Sequence, residues 1–173
     1  MATNTYFRTS IPNLTKTDFK EGTIHMHSVR KISEDIYWVG GNNKNLNIIE
    51  NLFPMKRGIS YNSYLILDDK TALIDTVDFS MSTQFIENIQ YVLGERTLDY
   101  LFLNHMEPDY LDNIIKLIQH YPEMKIVGNE KTFHMISQFY DIDIENRRCV
   151  VGENDAVLLG KHVVEFCMAP MVH

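Results

Sequence analysis

The sequence predicts an α/β fold with mixed sheets, and three observations carry that prediction. Short runs rich in aromatic and branched residues crowd the first third of the domain. Strand-like and helix-like segments then alternate. The helical stripes are bounded by glycine and proline.

In chain order, residues 1–31 show no clear period and are read as an N-terminal arm, extended or weakly strand-forming. The domain proper is placed at 32–173, with no internal repeat, low-complexity tract or linker. Asp35–Gly40 and Ile59–Leu67 are strand-like. The turn at Asp68, Asp69 and Lys70 leads into Thr71–Val77, which makes a hairpin with the strand before it. In Ser80–Leu93, residues Phe85, Ile86, Ile89, Val92 and Leu93 recur at helical spacing, and Gly94 supplies a stop. Leu98–Leu103 is a nearly continuous apolar run, as expected of a strand covered on both faces. Leu111–Tyr121 places Leu111, Ile114, Ile115 and Ile118 on one stripe, with Pro122 ending it. Met124–Val127 is a strand, and Asn129 caps a helix carrying Phe133, Ile136 and Tyr140. Val150–Val151, Ala156–Leu159 and His162–Met168 read as three final strands.

Composition narrows the function classes. Hydrophobic content of 45% and charged content of 23% over 173 residues are those of a globular protein. A net charge of −7 with scattered basic residues argues against nucleic-acid binding or a polybasic membrane patch. No apolar run approaches the roughly 18 residues of a membrane span, and the N-terminus lacks a secretory h-region. Cys149 and Cys167 are read as reduced, buried thiols of a cytoplasmic protein. No glycine-rich phosphate loop is visible.

The chemistry concentrates in Asn104–Asp109, N-H-M-E-P-D. His105, Glu107 and Asp109 alternate directly after a strand, and in an extended chain such residues project to one side. Pro108 biases Glu107 toward extended geometry. One imidazole and two carboxylates are good ligands for a hard or borderline divalent metal. Taken alone, such a triad leaves metal binding at about even odds. An amphipathic helix after it and a second imidazole, His173, at a later strand end favour the metal.

Together with Tyr37–Gly40, Glu50–Pro54, Gly58–Ile66, Leu73–Asp78 and Ala169–His173, this segment resembles the N-terminal, metallo-β-lactamase-fold domain of flavodiiron proteins. The resemblance runs from about Ile36 to His173 and implies a metallo-β-lactamase-like αββα sandwich, incomplete at its C-terminus. It further implies reduction of dioxygen to water or of nitric oxide to nitrous oxide at a non-haem di-iron site. In that reading His105, Glu107 and His173 bind one iron and Asp109 the other, and FMN in a downstream flavodoxin-like domain supplies the electrons. The implied partners are a redox donor, such as rubredoxin or a flavin reductase, and further copies of the chain in a homodimer or homotetramer. Glu107 stands where zinc hydrolases of this fold carry histidine, and an oxygen ligand moves preference toward iron.

Two features depart from the family pattern. Tyr110 stands where a histidine usually follows the aspartate, and the sequence stops at His173, ahead of the bridging aspartate, the last histidine and the flavin domain. The expectation is therefore a fragment with little or no turnover, whose first sheet exposes a large apolar face. The alternatives are a metal-dependent hydrolase of the same fold and a non-catalytic metal-binding remnant.

Other residues are given plainer roles. His25 and His27 are read as solvent-exposed, and His120, His134 and His162 as surface or packing residues. Asp75 and Asp78 are read as turn caps rather than neighbours of the site. Trp38 and Tyr61–Tyr64 are core and edge aromatics, Asn42–Asn45 a polar loop, and Glu50 an undecided neighbour of the metal.

Overall fold

The computed structural model describes residues 4–8, 27–43, 48–49, 53–54, 58–106, 108–139 and 142–169. Its strands in chain order are β1 (Asn4–Arg8), β2 (Arg30–Lys31), β3 (Ile36–Trp38), β4 (Gly41–Asn43), β5 (Ile48–Ile49), β6 (Phe53–Pro54), β7 (Ile59–Tyr61), β8 (Tyr64–Leu67) and β9 (Thr71–Ile74). Helix α1 (Ser82–Leu93), β10 (Tyr100–Phe102), α2 (Pro108–His120), β11 (Lys125–Gly128), α3 (Glu130–Phe139), β12 (Arg148–Val150), β13 (Ala156–Leu158) and β14 (Val163–Ala169) follow.

A seven-stranded sheet in the order β12-β11-β10-β9-β8-β3-β2 forms the centre. The half from β9 to β12 is parallel, and the half from β2 to β9 is antiparallel. Strands β9, β10, β11 and β12 lie side by side in sequence order, joined by α1, α2 and α3. All three helices pack on one face of the sheet, as successive crossovers of one hand running in one direction require.

The two-residue period of the strands divides the core. Leu65, Leu73, Leu101 and Ile126 face the helices, where they meet Phe85, Ile89, Ile114, Leu117, Phe133 and Ile136. Their neighbours Ile66, Ala72, Phe102 and Val127 face the other way, onto Leu159, Val164 and Phe166. That second contact is made by a three-stranded sheet, β1-β14-β13. Phe102 and Phe166 meet across it with ring centroids 5.7 Å apart. Burying each such ring stabilises by roughly 2 kcal/mol.

The expected bare apolar face is therefore not found among the described residues. The large apolar side chains that are exposed, Phe79, Tyr91, Phe139, Val150, Leu158 and Ile32, are spread over separate elements. The second sheet is already supplied by β13, β14 and the N-terminal β1, whose five residues pair with Glu165–Ala169.

Other expectations change too. Ile59–Leu67 is two strands, because β7 pairs with β4 and β8 with β3. The break falls at Asn62 and Ser63. Ser63 is wholly buried, and its hydroxyl donates to the Asp75 carbonyl at 2.8 Å. A Cβ on Gly40 would lie 2.0 Å from the Tyr61 carbonyl, so only glycine permits this close approach. Asn42 and Asn43 lie in β4 rather than in a loop, while Lys44 and Asn45 fall outside the described residues. Arg30 and Lys31 pair with β3, strand pairing that the reading of residues 1–31 as an extended arm or weak strand had left open. Cys149 and Cys167 do sit in strands, as free cysteines, but one is half-buried and the other exposed.

The hairpin β8–β9, the stop at Gly94 (φ 58°) and the Asn129 cap stand as read. The Asn129 side-chain oxygen accepts from Thr132 N at 2.9 Å. Tyr140 lies outside the described residues.

Candidate metal centre

In parallel sheets, ligands gather beyond the carboxyl ends of the strands. Here those ends carry the loop Asp75–Asp78 after β9 and the loop Leu103–Met106 after β10. Leu103 and Met106 are buried, 1% and 5% exposed, and between them Asn104 and His105 are half-buried. The loop is thus pinned at both ends by apolar side chains, with its polar residues held at the edge.

Asp75 fixes the backbone of that loop. Its Oδ1 accepts from Asn104 N at 2.7 Å and from His105 N at 3.1 Å, while Oδ2 accepts from Asn104 Nδ2 at 3.1 Å. Asp75 itself has φ 56°, a left-handed conformation that aspartate tolerates better than most residues. Desolvation raises its pKa, and the bonds from Asn104 and His105 oppose that rise without cancelling it. Asp75 is therefore no turn cap; it holds the loop bearing His105. A strand-terminal acid was visible in the sequence, but its partners lie 29 and 30 residues away. Asp78, by contrast, does cap, accepting from Ser80 N at 2.9 Å.

The remaining scaffold is polar and inward. The Asn113 side-chain amide donates to the Val77 carbonyl at 2.6 Å, and Ser82 Oγ donates to Asn113 Oδ1 at 2.5 Å. Thr76 Oγ1 donates to the Tyr110 carbonyl at 3.1 Å. These bonds tie the loop after β9 to the start of both α1 and α2. Asn88, fully buried, donates to the Val39 and Gly40 carbonyls at 3.0 and 3.3 Å and accepts from Ser28 N.

Helix α2 begins at Pro108, three residues before the sequence reading placed it. Proline suits a first helical turn, where its missing N–H leaves no bond unmade. Asp109 therefore lies on a helix, and the extended i, i+2, i+4 geometry expected for His105, Glu107 and Asp109 does not hold through Asp109. The side chain of Asp109, Glu107 as a whole, Glu50 and His173 lie outside the described residues. Among the described residues, no three of His, Cys, Asp and Glu come together as a metal-holding group.

What is described offers donor atoms of the kind a first-row metal takes. His105 carries an imidazole on a loop braced by the sheet, and the adjacent buried Asn104 Oδ1 has no hydrogen-bond partner among the described residues. Tyr110 lies against this group, its ring 4.8 Å from the His105 ring at an interplanar angle of 70°. The other histidines fall elsewhere. His27 stacks on Tyr91, His120 and His134 lie on helix surfaces, and His25 is outside the described residues. His162 pairs with Asp68 and Asp35, a role the sequence reading missed.

Comparison with known proteins adds lineage to this geometry. Residues 59–173, more than half of the chain, match the family described as ODP family beta lactamase. The chain belongs to that ODP beta-lactamase family. Its relatives include a protein named nitric oxide reductase from Moorella thermoacetica. It is 33% identical over 143 residues, which is 82% of this chain and 36% of that protein. A flavo-diiron protein of Clostridium acetobutylicum, FprA2, is 32% identical over 83% of this chain and 36% of its own length. The rubredoxin oxygen:oxidoreductase of Desulfovibrio gigas superposes with a TM-score of 0.74 and 28% identity, covering 80% of this chain and 34% of that one. The flavodiiron protein of Giardia intestinalis, at 20% identity and a TM-score of 0.72, shares the fold over 84% of this chain.

The metallo-β-lactamase-like fold of flavodiiron proteins is thus the fold of this ODP chain, which spans about a third of the length of these relatives. Among the described residues no helix is long and apolar enough to cross a membrane.

Proposed function

We propose that the chain is the N-terminal, metal-binding part of a flavodiiron oxidoreductase that reduces dioxygen or nitric oxide at a di-iron site. One observation carries this reading. The loop with His105 sits at the carboxyl edge of the central sheet, locked by Asp75, in a chain whose relatives include a nitric oxide reductase. A rubredoxin oxygen:oxidoreductase of the same fold supports it further.

In this reading His105, Glu107 and His173 hold one iron and Asp109 the other. Iron, when bound, supplies the one-electron chemistry that dioxygen and nitric oxide require. The electrons come from FMN on a flavodoxin-like domain, delivered by a donor such as rubredoxin or a flavin reductase. The assembly is a homodimer or homotetramer, and its place is the cytoplasm.

The chain's own residues do the positioning. Asp75 orients the backbone of Asn104 and His105, Asn113 and Thr76 fix the facing loop, and the core side chains Leu103 and Met106 anchor the segment between strand and helix.

The test is metal analysis after anaerobic reconstitution with ferrous iron and, separately, zinc. Iron retained by the wild-type chain and lost in H105A and E107A is the expected result. Retention of zinc alone would favour a hydrolase of this fold, and retention of neither metal would overturn the reading.

A further inference from the structure

We infer that Tyr110 is a positioning residue whose ring fixes the plane of the His105 imidazole, complementing the hold of Asp75 on the backbone beneath it. The inference deepens the metal-site reading and rests on it for its functional meaning.

Three elements converge to make this contact. Tyr110 lies in the first turn of α2, His105 in the loop after β10, and Tyr61 at the end of β7. The rings of Tyr110 and His105 are 4.8 Å apart at 70°, and those of Tyr110 and Tyr61 are 6.0 Å apart at 73°. Both are edge-to-face arrangements of the kind aromatic rings prefer.

Tyr110 is itself anchored at its backbone and partly packed. Its carbonyl accepts from Thr76 Oγ1, its ring packs on the helix-side core, and Tyr61 behind it is only 8% exposed. The backbone N–H of His105 is fixed by Asp75, and the Tyr110 ring stands against its imidazole at 4.8 Å, so that ring limits the orientations the imidazole can take.

Ligand orientation matters because a metal bond is directional. Groups that orient a ligating histidine are worth about 10- to 100-fold in metal affinity. The ring of Tyr110 carries this role; its hydroxyl does not.

Y110F and Y110L separate ring from hydroxyl, since phenylalanine keeps the flat face and leucine fills space without it. The first readout needs no metal: the NMR ring-current shifts of the His105 ring protons, assigned with H105Q. They are expected to be displaced in wild type, retained in Y110F and lost in Y110L. The second is ferrous iron affinity of the full 173-residue chain under anaerobic conditions. Y110F is expected within about 2-fold of wild type and Y110L about 10-fold weaker, with far-UV circular dichroism of both variants matching wild type.

Undisplaced His105 protons in wild type, or shifts and affinity unchanged in Y110L, would overturn the inference. Equal loss in Y110F and Y110L would also overturn it, because the hydroxyl would then be the active group. If wild type and H105Q alike bind no iron, the metal reading fails, while the NMR arm still decides whether Tyr110 orients His105.

Discussion

Asp68 and Asp75 stand at opposite ends of the same hairpin, one directly after β8 and the other directly after β9, and each carboxylate accepts several hydrogen bonds. Asp68 accepts from Asp69 N at 2.8 Å and from His162 N and Nδ1, each at 2.7 Å. Asp75 accepts from Asn104 N, Asn104 Nδ2 and His105 N. Desolvation is the largest single influence on both, yet the outcomes differ. The bonds from His162 and from the backbone of Lys161 and Asp69 bring the Asp68 carboxyl far below the ordinary carboxylate range, whereas Asp75 stays above it.

Burial and the number of bonds explain the contrast. Asp68 takes hydrogen bonds from the backbone N–H and Nδ1 of His162 and from two further backbone N–H groups, and the His162 ring also reaches Asp35 Oδ2 at 3.3 Å. Asp75 is the more deeply desolvated carboxyl, and the bonds from Asn104 and His105 do not offset that. One end of the hairpin is a latch between the two sheets, and the other is a brace under the candidate site.

The largest effect is expected from breaking the brace. D75A leaves three donors without their acceptor and should destabilise the fold by on the order of 3 kcal/mol, measured by urea denaturation. An effect on the scale of an ordinary surface substitution would contradict the brace.

The latch comes next. D68N should cost about 2 kcal/mol near neutral pH, and pH sharpens the comparison. Because the folded-state pKa of Asp68 is depressed, its contribution is fully present above the unfolded value of about 3.9 and is lost as pH falls through the folded value. The stability gap between wild type and D68N should therefore narrow in acid. A gap that widens in acid would reverse the sign and refute the assignment.

The smallest effect serves as a control remote from both carboxylates. N129A removes the cap on α3 and should cost about 1 kcal/mol, read from the same denaturation curves, without altering metal uptake.

How much of this was legible in the sequence follows the range of the interactions. The β8–β9 hairpin, the stop at Gly94 and the Asn129 cap depend on residues a few positions apart, and each was readable. The break at Asn62 and Ser63 was not, because only pairing with β3 and β4 divides that apolar run. The latch joins residues 94 apart, and no local pattern marks it. The second sheet also depends on a distant partner, since β14 recruits β1 from the far end of the chain.

The site was legible in part. His105 appears at the strand end where the motif put it. The early start of α2 shows that alternation in sequence does not guarantee an extended chain once proline opens a helix. The role of Asp75 needed the parallel register of β9 and β10, which aligns Ile74 with Phe102 and so brings the two loops together.

The most direct measurement is ferrous iron affinity of D75N and D68N, determined anaerobically side by side on folded protein. If the loop held by Asp75 carries the metal ligand His105, D75N binds at least about 10-fold more weakly than wild type while D68N binds as wild type does. Equal affinity in all three proteins, or equal loss in both variants, would contradict the account.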